Sequence, residues 1–312
     1  MVYTLGESLL DIIISSIDDA VVRPGGAMLN TAVSLGRSDV EVSLITELGD
    51  DDTSSLITSF LSSNNVSANF VKHYSNNTTS LALAFLDDNK KPKYTFIKNY
   101  PTIRRLANID NFTPDDILLF GSLYSIDKKI RESVQSIVTN ARNSKATIIY
   151  DPNIRNAHHL KDEELMNSIY ENINLSHIIK GSDEDFTNIF GSSDTNVQMA
   201  ELRKINNKAI IIITLGTDGV IADLNGQTIK LPAIKTNVVS TIGAGDAFNA
   251  GIILALNKSN FQSDDFSELS SGFIENMLKS GLHFSSKVCA SLDNYLPVEK
   301  NPERFDYNLS GF

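Results

Sequence analysis

Runs of uninterrupted apolar residues alternate along this chain with stretches of helical period. Residues 2–6 (VYTLG), 42–46 (VSLIT), 117–120 (ILLF), 147–150 (TIIY), 177–180 (HIIK) and 209–214 (AIIIIT) are apolar almost end to end. A strand with one wet face alternates, whereas a strand covered on both faces reads as a continuous run. Between the runs, the spacing of apolar positions predicts helices over Leu29–Arg37, Asp52–Asn64, Lys128–Asn143, Lys161–Asn172, Asn196–Asn206, Asp246–Leu256 and Phe266–Ser286. This alternation predicts an α/β fold: a mainly parallel, doubly wound sheet with helices on both sides. Such sheets bind ligands outside the carboxyl ends of their strands. The residues that close each run are therefore where chemistry is sought.

Two stretches break the alternation. Residues 10–24 (LDIIISSIDDAVVRP) and 80–98 (SLALAFLDDNKKPKYTFIK) each read as strand, turn, strand, with no crossover helix. They either extend the central sheet or form a small antiparallel sheet projecting from its edge as a flap. No linker, low-complexity tract or internal repeat interrupts the chain. Residues 1–312 accordingly read as a single domain, with a lid at about 10–24 and 80–98.

At 312 residues the chain is long enough for a large buried core. Its net charge of −11 argues against nucleic acid and against an anionic membrane surface as partners. A small anionic ligand stays open, because a few local donors can outweigh the global field. Cys289 is the only cysteine, so it has no disulfide partner within the chain and reads as a small buried hydrophobe. The N-terminus lacks a basic, apolar leader, and no run approaches ~18 apolar residues. The expected location is cytoplasmic.

The densest candidate chemistry is TIGAGDAFNAG, residues 241–251. NVVSTI before it suits a strand, and DAFNAGIILAL after it suits a helix buried on most sides. Gly243, Ala244 and Gly245 then form a strand-to-helix turn with Asp246 near the helix start. Small residues let a ligand approach the backbone, and the free first-turn amides with the helix dipole attract an anion. Asp246 has two readings: a helix-capping acid, or a base that takes a hydroxyl proton while the amides hold a phosphoryl group. A Walker-A loop and a G-x-G-x-x-G fingerprint are both absent, which weakens a nicotinamide-dependent oxidoreductase.

TIGAGDAF resembles the C-terminal signature of the PfkB-type, ribokinase-like carbohydrate kinases. RPGGAMLNTAVSLGR (23–37), with paired glycines and an Asn four positions later, resembles their N-terminal signature. The likeness covers nearly the whole chain, in order. It implies a Rossmann-like three-layer α/β/α sandwich with a small β lid, possession of ATP and Mg2+ sites, and γ-phosphoryl transfer to a sugar hydroxyl. By resemblance Asp246 is the general base and the Gly243, Ala244 and Gly245 amides are the anion hole. Asp11, Gly25, Gly26 and Asn30 match sugar-binding positions; turn acids and helix caps of these types also occur without ligands. DPNIR (151–155) resembles the fructokinase and 2-keto-3-deoxygluconate kinase branch, with Arg155 facing sugar or phosphate. Lys98 in YTFIK is either a cation for substrate or a solvated edge lysine. Thr214, Gly216 and Gly219 in ITLGTDG, Lys180 and Ser182 in KGSDEDF, and Ser286 are implied on the nucleotide side. Glu184 or Asp185 would meet Mg2+ through water, or simply enrich a helix N-terminus in acid.

Three departures stand out. Ser240 replaces an Asp that helps hold a monovalent cation in the family, which argues against potassium activation. GDDDTSS (49–55) replaces G-x-D-x-x-G, a change expected to alter a turn more than chemistry. SLDNYLP (291–297) lacks the usual T-x-x-G-A. Within the family, RPGGA, TTSLALAFLD and DPNIR favour a fructokinase-like enzyme acting on sugar and ATP. The alternatives are 2-keto-3-deoxygluconate kinase, ribokinase, and a binding regulator without turnover. A homodimer through the lid edges is expected, because sheet edges invite pairing.

Overall fold

The computed structural model describes residues 1–86, 92–154, 160, 162–259 and 269–298. Its strands are β1 (Val2–Leu5), β2 (Leu9–Ser16), β3 (Asp19–Gly25), β4 (Val42–Gly49), β5 (Val66–Tyr74), β6 (Leu81–Leu86), β7 (Pro92–Ile97), β8 (Ile117–Gly121), β9 (Thr147–Asp151), β10 (Ile178–Ser182), β11 (Ile210–Thr214), β12 (Val220–Leu224) and β13 (Gln227–Leu231). Its α-helices are α1 (Ala27–Gly36), α2 (Asp52–Ser63), α3 (Arg131–Asn143), α4 (Glu163–Leu175), α5 (Asp183–Phe190), α6 (Thr195–Ile205), α7 (Ala244–Lys258) and α8 (Ser271–Cys289).

Nine strands form one sheet in the order β13-β12-β11-β10-β9-β8-β1-β4-β5. From β5 to β11 every pairing is parallel; β12 and β13 close one edge antiparallel. The six runs read as doubly covered strands are β1, β4, β8, β9, β10 and β11, and their apolar residues are buried. One face packs on α1, α2, α7 and α8, the other on α3, α4, α5 and α6, giving three layers. The strand order reverses at β1, which opens a crevice at the carboxyl ends.

The two hairpins form a separate four-stranded sheet, β3-β2-β6-β7, rather than extending the large one. Each hairpin is antiparallel, but β2 and β6 join them in parallel, with Leu10 opposite Leu81 and Ile14 opposite Phe85. The small sheet is therefore mixed, not antiparallel as expected. β2 follows β1 and β6 follows β5, and those two strands run the same way, so both hairpins set out in one direction. The DDNKK turn, residues 87–91, lies outside the described residues. Ala82 and Ala84 are buried, while Val22, Tyr94, Phe96 and Ile97 are exposed.

Two further expectations are corrected. Residues 237–242 are not a strand: no sheet partner reaches them, and Val239 and Ser240 donate instead to the Cys289 carbonyl at 2.8 and 3.3 Å. Cys289 is half-buried rather than fully buried, and burial pushes its thiol pKa up. The GDDDTSS departure resolves into local structure. Asp51 caps α2 by accepting from the Ser54 amide at 2.9 Å, and accepts from the Thr79 amide and hydroxyl at 2.8 and 2.7 Å.

Candidate active site

Helix α7 is preceded by its cap residue Gly243, whose φ of +81° suits glycine. A Cβ there would collide with the Asn294 carbonyl. With no side chain at this cap position, the first turn is free of a side-chain cap. Such a turn attracts anions. The Ala244 amide, however, donates to the Thr241 carbonyl at 3.3 Å. That engagement argues against its place in the predicted anion hole and leaves Gly243 and Gly245 as the candidates.

Asp246 lies in the same turn and is 5% exposed. Its Oδ2 accepts from Asn30 Nδ2 at 2.8 Å, across 216 residues of sequence. The Thr31 hydroxyl donates to the Asp246 carbonyl at 3.0 Å. These bonds clamp α1 to α7 and bring the two glycine-containing segments together. Asn30 Oδ1 is buried and accepts from no described residue. A buried acceptor left that way is costly, about 1–3 kcal/mol, unless a donor reaches it.

Below the turn lies a cluster that sequence reading only half saw. Lys180, on β10, is 3% exposed, and its Nζ sits 2.8 Å from Asp151 Oδ2 at the end of β9. The same ammonium is 3.4 Å from the Gly245 carbonyl, and a Cβ on Gly245 would lie 3.2 Å from it. Asn249, one turn along α7 from Asp246, donates to Asp151 Oδ2 at 2.6 Å. Burial pulls the Lys180 pKa down, but Asp151, Asp185 and Asp246 outweigh it and the net shift is upward. Asp151 Oδ1 and Asn249 Oδ1 are buried without partners among the described residues. Asp151 heads the DPNIR motif but was given no role from sequence, and Asn249 was not singled out. Asp151 ends a β-run next to the one ending at Lys180, and adjacent parallel strands would have placed them side by side.

Asp185 and Glu184 separate clearly. Glu184 is exposed, whereas Asp185 is buried and its pKa is raised, by burial first and then by the Asp151 charge. Asp185 and Ser182 form a capping box at the start of α5: the Ser182 amide and hydroxyl donate to Asp185 Oδ2 at 2.8 and 2.7 Å, and Ser182 Oγ accepts from the Asp185 amide at 3.0 Å. Ser182 is thus already engaged as a cap. Among the described residues no three acidic, His or Cys side chains converge on one point. A divalent cation would fit here only through phosphate oxygens and water, with Asp185 and the unpartnered Asp151 oxygen outside its first shell.

On the opposite side, Asp11 in β2 reaches under Gly25, where a Cβ would strike its Oδ2. Gly26, with φ +122°, would meet the Glu7 carbonyl. The paired glycines therefore admit residues 7–11 of the chain itself. Burial raises the Asp11 pKa to about 6. Lys98 is exposed and held by Glu7 at 2.5 Å; Tyr100 donates to the same Glu7 oxygen at 2.7 Å. Nearby, Arg104 is buried against Glu47 (Nε to Oε1, 2.8 Å) and lies 3.9 Å from the Tyr100 ring centroid. Glu7, Glu47 and Arg104 escaped the sequence reading because no motif marks them. Arg155 lies outside the described residues.

Thr214 closes β11 and donates to the Gly181 carbonyl at 3.4 Å. Gly216 and Gly219 both have positive φ, +54° and +95°. Only Gly219 is crowded, against the Leu231 carbonyl; Gly216 faces open space. Ser286 donates to the His283 carbonyl at 2.8 Å and is half-buried. Ser240 accepts from the Ile242 amide at 3.2 Å. Val238, Val239, Ile242 and Leu292 are exposed apolar side chains on the segments leading into and facing the glycine turn. The misread strand hid this apolar stretch from the sequence analysis.

Residues 8–300 match the pfkB family carbohydrate kinase domain. A fructokinase of Escherichia coli is 26% identical over 271 residues, covering 85% of this chain and 87% of that protein. The structure of aminoimidazole riboside kinase from Salmonella enterica, complexed with aminoimidazole riboside and an ATP analogue, superposes with a TM-score of 0.82 at 21% identity, covering 96% of each chain. Fructokinase from Vibrio cholerae O395, bound to fructose, ADP and calcium ion, superposes at 0.81 with 19% identity and 94% of each chain covered. The chain belongs to the pfkB family of carbohydrate kinases, and its three-layer sandwich is ribokinase-like. Among the described residues, no helix is long and apolar enough to cross a membrane.

Proposed function

We propose that this kinase transfers the γ-phosphoryl group of ATP to a hydroxyl of a neutral ketose, in the manner of a fructokinase. The observation that carries the reading is the meeting of Asp246 and Asn30 at the uncapped turn of α7. Asp246 takes the hydroxyl proton. The freed oxygen bonds to the γ-phosphorus as the bond to the β,γ-bridging oxygen breaks, and ADP leaves with that electron pair. Gly243 and Gly245 amides hold the migrating group, whose charge is redistributed but never neutralised by covalent work from protein. Asp185 would help hold a nucleotide-bound magnesium ion through water, and the ion would supply charge that offsets the phosphates. Asp11 and Asn30 Oδ1 accept sugar hydroxyls, Gly25 and Gly26 shape that side, and the small sheet covers it as a lid.

Thr214, Gly216, Gly219 and Ser286 stay on the nucleotide side of this reading, with the apolar side chains at 238–242 and 292 as a wall for the base. Support for both halves comes from the relatives solved with fructose and ADP and with a riboside and an ATP analogue. A neutral sugar is favoured over a sugar acid because Lys98, a candidate cation for a substrate carboxylate, is engaged by Glu7. No potassium requirement is assigned, since Ser240 offers a hydroxyl already bonded locally. The lone cysteine and acidic charge suit a cytosolic enzyme. The exposed Val21, Tyr94 and Phe96 face is the one assigned to a second copy of the chain, which light scattering would register as a doubled mass.

The test is ADP release over ketoses, aldoses, nucleosides and sugar acids, with and without K+. Fructose is expected to lead, with 2-keto-3-deoxygluconate at least about tenfold lower in kcat/KM, a gap of roughly 1.4 kcal/mol. A lead by the sugar acid or by a riboside would replace this reading with that one. Run at falling pH, the same assay reads Asp11. Its carboxylate accepts hydroxyls on both oxygens, and most strongly, when ionised, so KM for fructose should rise as pH drops through about 6. The stability effect has the opposite sign: burying the ionised group costs the fold above that pH, and the cost fades as pH falls toward the ordinary 3.8.

A further inference from the structure

Arg23 is the cross-strand partner of Asp11 in the β2–β3 hairpin. Directly opposed residues share a face, and an aspartate opposite an arginine ordinarily makes an ion pair. Here the guanidinium turns elsewhere. Its Nη1 donates to the Leu292 carbonyl and lies 3.8 Å from Asp293 Oδ1. The next residue, Asn294, places its carbonyl where a Gly243 Cβ would be. The segment is anchored from behind: the Leu296 amide donates to Ser34 Oγ at 3.1 Å, and the Arg37 guanidinium donates to the Leu296 carbonyl and covers the Tyr295 ring at 4.7 Å. A continuous line of contacts thus runs from the small sheet through Arg23 and residues 292–294 to the first residue of the glycine turn.

We propose that Arg23 is a positioning residue, and that with residues 292–294 it forms a strut coupling the sugar site to the nucleotide site. The proposal rests on the kinase reading above. A ligand shifts a structure only through contacts that differ between its states. Arg23 joins two parts of the fold that belong to different ligands, so sugar at one end holds the loop that backs the glycine turn at the other. Binding coupling is reciprocal by linkage: fructose should tighten nucleotide binding by the factor that nucleotide tightens fructose binding.

Calorimetric titration of the full chain with the non-hydrolysable analogue AMP-PNP and Mg2+, with and without saturating D-fructose, measures that factor. In the unaltered protein it should be about fivefold or more, and equal in the converse titration. Arg23→Met should bring it near unity while changing each ligand's affinity alone by less than about threefold. Arg23→Lys, which keeps a charge for Asp293 but loses the fork, should give an intermediate factor. Asp293→Asn removes only the ionic contact and serves if Arg23→Met does not fold; its factor should fall below that of the unaltered protein. Unchanged coupling in the folded variants overturns the strut, as does equal damage to binary and ternary affinity. Binding of both ligands without coupling overturns the strut and leaves the kinase reading standing. A protein that binds neither overturns both.

Discussion

Asp246→Asn should lower kcat by about 10²–10⁴-fold, the span a positioned general base contributes. Nucleotide and sugar affinities should stay within about threefold of the original, because ground-state binding does not use the lost function. The substitution is nearly isosteric. The carbonyl that accepts from Thr31 is main chain and is kept, and the new amide oxygen can still accept from Asn30. The fold should therefore survive, and the loss should fall on turnover. Steady-state ADP release with equilibrium binding of fructose and AMP-PNP separates the two. A variant that turns over within about tenfold of the original would remove Asp246 from the base role.

Lys180→Met should cost about 3–5 kcal/mol of stability, the usual consequence of removing one partner from a buried ion pair. Asp151 is 1% exposed, and it would keep its Asn249 bond but lose the one cation that pairs with it among the described residues. It would also face Asp185, another buried carboxyl, across a site with less compensating charge. The double variant Asp151→Asn/Lys180→Met should recover much of the loss, since replacing both charges removes the uncompensated one. Urea unfolding monitored by far-UV circular dichroism reads both. A single variant that loses less than about 1 kcal/mol would mean that water or relaxation compensates Asp151, and the buried-pair account would fail.

How much of this was legible follows from the kind of signal each feature leaves. Doubly covered parallel strands announce themselves by unbroken apolar runs, so β1, β4 and β8 to β11 could be read directly. β5 could not: its residues are mostly half-buried, and VSANFVKHY carries neither a run nor a clean alternation. The β12–β13 hairpin was available and went unread. Asn225–Gly226, at φ +50° and +86°, is the turn dipeptide that left-handed backbone favours. The opposite error arose at Val238–Val239, where β-branched residues imitate a strand but stand exposed beyond the sheet edge at β13. Within the site, the residues with local signatures were legible: the glycine turn, Asp246, Asn30 and Asp11. Residues defined by neighbours in space were not. Glu7 matters because Lys98 and Tyr100 converge on it, and Asp151 because Lys180 emerges from the adjacent strand. Lys98, open as a substrate cation or a solvated lysine, pairs with Glu7, a partner 91 residues away that no local motif marks.

The most direct test is a crystal structure of the protein with D-fructose, AMP-PNP and Mg2+. One sugar hydroxyl should lie about 2.6–3.2 Å from the Asp246 carboxylate, with the γ-phosphate against the first turn of α7 and in line with that oxygen. A ternary complex in which every sugar hydroxyl is remote from Asp246, or in which the γ-phosphate sits away from Gly243 and Gly245, would contradict the account.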